Sequence, residues 1–265
     1  VLNLTNDGFK EEKMKFVRFQ LKNESPQFGW IHDDRVGALE GTPFGEYRRL
    51  EAEFPLDSVR LKAPVNFGKI ICMGKNYSEH AKEFDSDVPE VPLIFMKPLT
   101  SVIGPDEKII LPPQSQRVDH EGELVVVIGK KGRWIPADQA FDYVLGYTIA
   151  NDVTARDLQF KDGQWTRAKG FDTFCPLGPW IETDLDPVDA LITVRVNGEI
   201  RQMATTRDLV FTIPQIISFV SSVMTLEPGD IILTGTPAGV GPIQDGDTVT
   251  VEIEGIGILR NSVGK

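Results

Sequence analysis

The stretch V-D-H-E-G-E-L-V-V-V-I-G, Val118 to Gly129, decides how the rest of the chain is read. Its second half is a β-branched apolar run without polar alternation, which is the pattern of a strand buried on both faces. Side chains of a strand alternate between faces, so Glu121 and Glu123 at its head point the same way. Two readings are open. Either the acids mark a solvated strand end, or they are buried with the strand and require protonation, cationic partners or a metal, because an uncompensated buried charge is strongly unfavourable.

Working outward, the strand Val144 to Ala150 runs into Asn151 and Asp152, an acid at a strand end that is well placed to meet Glu121 and Glu123. Three carboxylates without a nearby Cys or His cluster make a hard, all-oxygen donor set suited to Mg²⁺ or Mn²⁺ rather than zinc. His120 alternates with Glu121, faces away from the acids, and reads as structural or as a support behind them.

Upstream, Lys69 to Met73 is an apolar strand broken by Gly74, and N-Y-S-E-H-A-K-E-F then opens a helix with Asn76 as its cap. His80 and Glu83 stand three apart and share a face, so the carboxylate orients the imidazole and raises its basicity. An ordinary solvated helix surface has the same pattern. Lys97 closes a proline-punctuated segment before the next loop. Downstream, Arg156, Gln159 and Lys169 are donors of the kind that hold a carboxylate or stabilise an enolate, although each alone also reads as a surface residue. The loop T-G-T-P-A-G-V-G presents backbone N–H groups to an anion but lacks the spacing and lysine of a Walker loop.

The last third reads as scaffold. Leu191 to Val196 forms a hairpin turned by Asn197 and Gly198, and Asp245-Gly246 leads into the strand T-V-T-V-E-I-E. Between them Leu209, Ile213, Ile216, Ile217, Val220 and Met224 recur at helical spacing, which predicts a core-facing helix before the strand Asp230 to Thr234.

Residues 1–13 are polar and without period, a leader or unstructured segment, and Met14 is expected to be the native start. Retention of Val1 in the native protein, seen by mass spectrometry, refutes that expectation. Residues 14–64 read as a small β-rich N-terminal domain with strands at Phe16 to Leu21, Gly29 to His32 and Arg35 to Leu39, and His32 lies in a surface turn beside Asp33 and Asp34. Residues 65–265 form the larger domain.

The net charge of −11 over 265 residues argues against a nucleic-acid partner, which calls for a basic face. Cys72 and Cys175 sit far apart in apolar settings and read as buried thiols rather than a zinc motif. No apolar run of about 18 residues and no signal pattern occurs, so neither a membrane span nor secretion is indicated and the cytoplasm is expected.

Taken in order, the motifs G-K-N-Y-S-E-H-A-K-E, F-M-K-P, D-H-E-G-E-L-V-V-V-I-G, G-Y-T-I-A-N-D-V-T-A-R-D-L-Q, A-K-G-F-D-T-F-C-P-L-G-P-W and L-T-G-T-P-A-G-V-G resemble the fumarylacetoacetate hydrolase family over residues 65–265. The resemblance implies an α+β, predominantly β fold: a mixed-β roll with a few helices, preceded here by the small β-rich domain. It also implies a homodimer acting on small 2-oxo acids through a divalent metal. Carried over by motif, Glu121, Glu123 and Asp152 match the metal ligands, His80 and Glu83 the catalytic pair on a lid helix, and Lys169 the active-site lysine. Arg156 joins Gln159 and Thr236 as expected substrate contacts. The chain departs from the pattern at Lys75, where relatives often carry arginine or leucine.

The stretch L-Q-F-K-D-G-Q-W-T-R-A-K-G is most similar to a bacterial branch of acylpyruvate hydrolases, oxaloacetate decarboxylases and hydroxyheptadienedioate isomerases. The expected activity is Mg²⁺- or Mn²⁺-dependent hydrolysis of a carbon–carbon bond in an acylpyruvate-type substrate. Oxaloacetate decarboxylation and 2-hydroxyhepta-2,4-diene-1,7-dioate isomerisation are the alternatives, since all three need the same electron sink. The non-enzyme alternative is a silent module that binds a metal and a small acid.

Overall fold

The computed structural model describes residues 13–22, 24–66, 68–83 and 87–265, so the expected leader, apart from Lys13, lies outside the described residues. In chain order the elements that position the site are β1 (Lys15–Gln20), β2 (Gln27–His32), β3 (Arg35–Gly41), β4 (Ile70–Gly74), α1 (Ser78–Glu83), β5 (Leu93–Lys97) and β6 (Lys108–Ile110). They continue with β7 (Val118–His120), β8 (Gly122–Ile128), β9 (Val144–Asn151), α2 (Arg156–Asp162), α3 (Thr166–Lys169) and β10 (Cys175–Glu182). The last are β11 (Leu191–Val196), β12 (Glu199–Thr205), α4 (Ile213–Val223), β13 (Ile231–Leu233), β14 (Thr248–Ile253) and β15 (Gly257–Gly264).

The apolar run quoted first is β8, and all seven of its residues are buried. Its neighbours in a long mixed sheet run β3-β2-β1-β10-β9-β8-β13-β4-β5. Alternation sends Leu124, Val126 and Ile128 into a core shared with α4 and the second sheet, and Val125 and Val127 into another core with Ile70, Cys72, Cys175 and Leu177. Each such burial stabilises by about 1.5–3 kcal/mol relative to exposure, which is why this strand carries no polar residue beyond its head. The second sheet, in the order β6-β15-β14-β11-β12, packs across one face of the first. The chain is therefore predominantly β with mixed sheets, the α+β roll that the sequence implied.

Gly122 shows how closely the sheets approach. A Cβ there would stand 2.3 Å from a methyl of Val194 and 2.9 Å from one of Val251, so the residue between the two glutamates has to be glycine.

One expectation meets a different arrangement. The stretch Val118 to Gly129 is not one strand: β7 pairs with the bridges at Thr154–Ala155 and Gly241–Pro242, β8 belongs to the long sheet, and Glu121 is the residue at which the chain changes sheets. The N-terminal strands share a sheet with the larger domain. Phe16 of β1 stands opposite Ile181 of β10, so its sheet continues into the large one.

The helix over residues 213–223 forms as its spacing predicts, with a capping box between Thr212 and Gln215 and with Ile213, Ile216, Ile217 and Val220 buried. The helical piece Ala137–Tyr143 is a 3₁₀ helix. Among the described residues no helix is long and apolar enough to cross a membrane.

Candidate active site

The acids at the head of β8 are buried: Glu121 is 4% exposed, Glu123 1% and Asp152 0%. Each offers a carboxylate oxygen, and the three oxygens lie within 4.8 Å of one another. Backbone pairing creates the convergence. Gly122 stands opposite Asn151, the Asp152 N–H donates to the Glu121 carbonyl at 2.7 Å, and the Asn151 side chain accepts from the Glu121 N–H at 2.9 Å. Glu121 thus keeps its place beside Asp152 although it has left the ladder.

Buried cations balance part of this charge. Lys169 Nζ, from α3, donates to Glu121 at 2.8 Å and to Asp152 at 2.5 Å, and Lys97 Nζ, from β5, donates to the other oxygen of Asp152 at 2.5 Å. Burial acts to raise the Glu121 carboxyl, but Lys169 and Arg156 hold it well below the ordinary carboxylate range. Burial likewise acts to lower Lys169, and Asp152 and Glu121 more than restore it.

Glu123 is the exception. Its carboxylate accepts from the Gly235 N–H at 2.7 Å, and among the described residues no salt bridge reaches it. Burial first, and then repulsion from Asp152 and Glu121, pushes it well above the ordinary value. A divalent cation amid these oxygens would remove that conflict, and a donor set of carboxylates without sulfur or imidazole fits Mg²⁺ or Mn²⁺. Cys72 and Cys175 lie behind the site as buried thiols, raised by burial, and contribute no metal motif.

The helix α1 carries His80 and Glu83, and His80 lines the same cavity as the triad. His80 is 7% exposed, so the imidazole is buried, whereas Glu83 stands at the exposed edge of the helix. The His80 Nδ1 faces Glu83 Oε2 at 3.1 Å, and the other Glu83 oxygen accepts from the Gly239 N–H at 2.7 Å. A carboxylate only accepts, so Nδ1 carries the proton and Nε2 is the basic nitrogen. Asn76 does not cap this helix. It is buried, its amide donates to the carbonyls of Phe211 and Thr234 and accepts from the Phe211 N–H, and it thereby ties the segment that leads into α1 to the chain on both sides of β13.

The loop T-G-T-P-A-G-V-G does present N–H groups to anions, but they are the protein's own: Gly235 serves Glu123 and Gly239 serves Glu83. Thr236 lines the cavity, and its hydroxyl donates to the Gly122 carbonyl at 3.0 Å.

Arg156 and Gln159 also line the cavity of about 190 Å³, and three of the five Arg156 N–H donors have partners within the protein. Its Nε donates to Asp119, one Nη to Glu121 and the other to Gln159 Oε1 at 2.6 Å. Arg156 thereby orients Glu121, and the Gln159 amide N–H pair is a further donor on that wall. Asp119, Lys97 and Gln202 are site residues that sequence reasoning missed. Asp119 and Lys97 lie inside quoted motifs, and buried charge in an apolar setting is the signal that could have singled them out.

Gln202 carried no signal, because it stands in a hairpin strand 80 residues from Gly122. Its Oε1 accepts from the Gly122 N–H and faces His120 Nδ1, both at 3.1 Å, and its Nε2 donates to Thr236 Oγ1 and the Pro237 carbonyl, both at 2.7 Å. The Pro237 carbonyl fixes the amide orientation, so His120 Nδ1 is the donor. His120 is held neutral by burial and supports the site from behind, as its strand parity suggested.

Comparison with known proteins places these observations. Residues 69–264 match the family described as fumarylacetoacetate (FAA) hydrolase C-terminal, and residues 14–64 match the Rv2993c-like N-terminal family. The mitochondrial oxaloacetate tautomerase Fahd2a of Rattus norvegicus is 47% identical over 231 residues, which is 82% of this chain and 74% of that protein. The crystal structure of 2-hydroxyhepta-2,4-diene-1,7-dioate isomerase from Mycobacterium marinum is similar at a TM-score of 0.87 and 46% identity, covering 95% of this chain and 98% of that one. Fumarylpyruvate hydrolase from Pseudomonas aeruginosa, solved with Mn²⁺ and pyruvate, is similar at a TM-score of 0.72 and 35% identity, covering 77% of this chain and 91% of that one.

Proposed function

We propose that this chain, which belongs to the fumarylacetoacetate hydrolase family, catalyses metal-dependent proton transfer on a small 2-oxo acid, interconverting its keto and enol forms. The observation that carries this reading is the placement of a buried, carboxylate-oriented imidazole and a buried carboxylate triad with its lysine on the walls of one cavity. The names of the relatives at 46–47% identity, a tautomerase and an isomerase, support it.

Glu121, Glu123 and Asp152 would hold Mg²⁺ or Mn²⁺, which when bound supplies electrophilic polarisation of the 2-oxo and carboxylate oxygens. His80 Nε2 takes a proton from the carbon next to the carbonyl, the C–H electrons form the new double bond, and the carbonyl π pair moves to oxygen. Glu83 stabilises the imidazolium, which then delivers the proton to the enolate oxygen to give the enol, and ketonisation runs the same two transfers in reverse. Lys169 brings a positive charge to the side of the cavity where negative charge develops. Phe95 and Trp165 line the cavity and exclude water from this exchange.

Hydrolysis of an acylpyruvate by the same residues is the second reading, favoured by the likeness to the fumarylpyruvate hydrolase with Mn²⁺ and pyruvate. There His80 would activate water instead of removing a substrate proton. Enol oxaloacetate, keto oxaloacetate and acetylpyruvate, each assayed with Mn²⁺, Mg²⁺ and a chelator, separate the two. Metal-dependent ketonisation that outpaces carbon–carbon cleavage and decarboxylation is expected, and faster cleavage of acetylpyruvate overturns the ranking. The homodimer implied by the resemblance belongs to the same proposal, and light scattering that gives a monomer mass contradicts it.

A further inference from the structure

Lys75 has a φ of +55°, a left-handed conformation uncommon for a residue other than glycine, asparagine or aspartate. Such an outlier persists where the surroundings impose it, and here they do. β4 ends at Gly74, against which Trp165 packs so closely that a Cβ would stand 2.6 Å from its ring, and the chain must turn at once into the segment that Asn76 staples down. The turn leaves Lys75 half-buried in the lining of the cavity that His80 also lines.

The other cations of the cavity are committed. Lys169 is held by Glu121 and Asp152, Arg156 by Asp119, Glu121 and Gln159, and His80 by Glu83. Among the described residues Lys75 is the cavity ammonium with no hydrogen bond or ion pair. Gln159, whose Oε1 is taken by Arg156, adds a neutral donor to the same cavity. The acid triad and the aromatic walls offer nothing attractive to a second anionic group.

Resting on the reading that the site acts on 2-oxo acids, we infer that Lys75 is a specificity-determining residue: it receives a carboxylate at the far end of the substrate, so that 2-oxo dicarboxylates are preferred over 2-oxo acids with an uncharged end. A partly desolvated ammonium discriminates strongly here, because a ligand without the matching anion leaves it unpaired in the closed site.

The matched probes are enol oxaloacetate and its 4-methyl ester, which have nearly the same shape and differ in charge at the far end. With Mn²⁺ the unmodified protein is expected to favour oxaloacetate by about 10-fold or more in kcat/KM, chiefly through KM. Lys75→Met, which keeps the stem and loses the charge, should bring the ratio near one by lowering kcat/KM for oxaloacetate alone, and Lys75→Arg should restore the preference. An unchanged ratio in Lys75→Met overturns the inference while leaving the proposed reaction in place. An unmodified protein inert toward both probes and toward other 2-oxo acids overturns the proposed reaction and this inference with it.

Discussion

The Gly239 N–H donates to Glu83 at 2.7 Å while the other oxygen of that carboxylate faces His80 Nδ1 at 3.1 Å. A loop 156 residues further along the chain thus sets the carboxylate that sets the imidazole. Gly239 can do this because its φ is +97° and a Cβ there would stand 2.1 Å from the Arg201 carbonyl, a position closed to other residues. Replacing Glu83 by glutamine removes the charge and keeps the shape. Steady-state kinetics on Glu83→Gln should show kcat reduced by about 10²-fold with Mn²⁺ affinity unchanged. A variant with full kcat would show that the carboxylate has no part in the proton transfer.

The two walls of the cavity should separate by mutation. Glu123→Ala removes a donor from the triad and should abolish measurable Mn²⁺ binding in calorimetry. His80→Ala should bind Mn²⁺ as the unmodified protein does and lose turnover. Retained turnover in the second variant would remove His80 from the mechanism.

Metal stabilisation should depend on pH, and the sign follows from Glu123. Its folded pKa is raised well above the ordinary 4.5, so between those two values the folded metal-free protein binds more protons than the unfolded chain. Metal-free stability from this group is therefore present at low pH and lost as pH rises through the raised value. Glu121 is depressed and acts oppositely: its contribution is present above 4.5 and lost as pH falls through its lower folded value. Mn²⁺ displaces the proton of Glu123, so the rise in Tm on adding Mn²⁺ should grow as pH increases from 4.5 toward the raised value. A rise in Tm that is flat across that range contradicts this assignment.

Gln202 joins β12 to the peptide between the two glutamates and to the loop of Thr236 and Pro237. Gln202→Met would keep the volume and leave the Gly122 N–H and the Pro237 carbonyl without their partner. The expected cost is about 2 kcal/mol or more in chemical unfolding, together with weakened Mn²⁺ binding. Unchanged stability would show that another group takes over both bonds.

Much of the site was legible in the chain because its spacing is local. Glu121 and Glu123 are two apart in a stretch that must be extended, His80 and Glu83 are three apart on one turn of helix, and the seven buried residues of β8 announce a strand covered on both faces. Motif order added the family, which residues 69–264 bear out.

What no local pattern contains is the pairing of distant groups. Arg156 looked like a substrate donor, and the structure adds that Asp119, Glu121 and Gln159 accept from three of its five N–H groups. Asn76 looked like a helix cap, yet it joins segments 135 and 158 residues away. In both cases the side chain had several possible partners, and burial beside one set decided among them.

The sequence by itself determined which residues carry charge and which runs must be buried, because strand alternation and helix periodicity follow from backbone geometry alone. Only the tertiary structure decided which buried charge keeps which partner. It ties Lys97 to Asp152 and Lys169 to Glu121 and Asp152, and it leaves Glu123 to a backbone N–H and Lys75 with no ionic partner among the described residues. Those assignments depend on how sheets and loops far apart in the chain close around one cavity, where removal of water makes each pairing count.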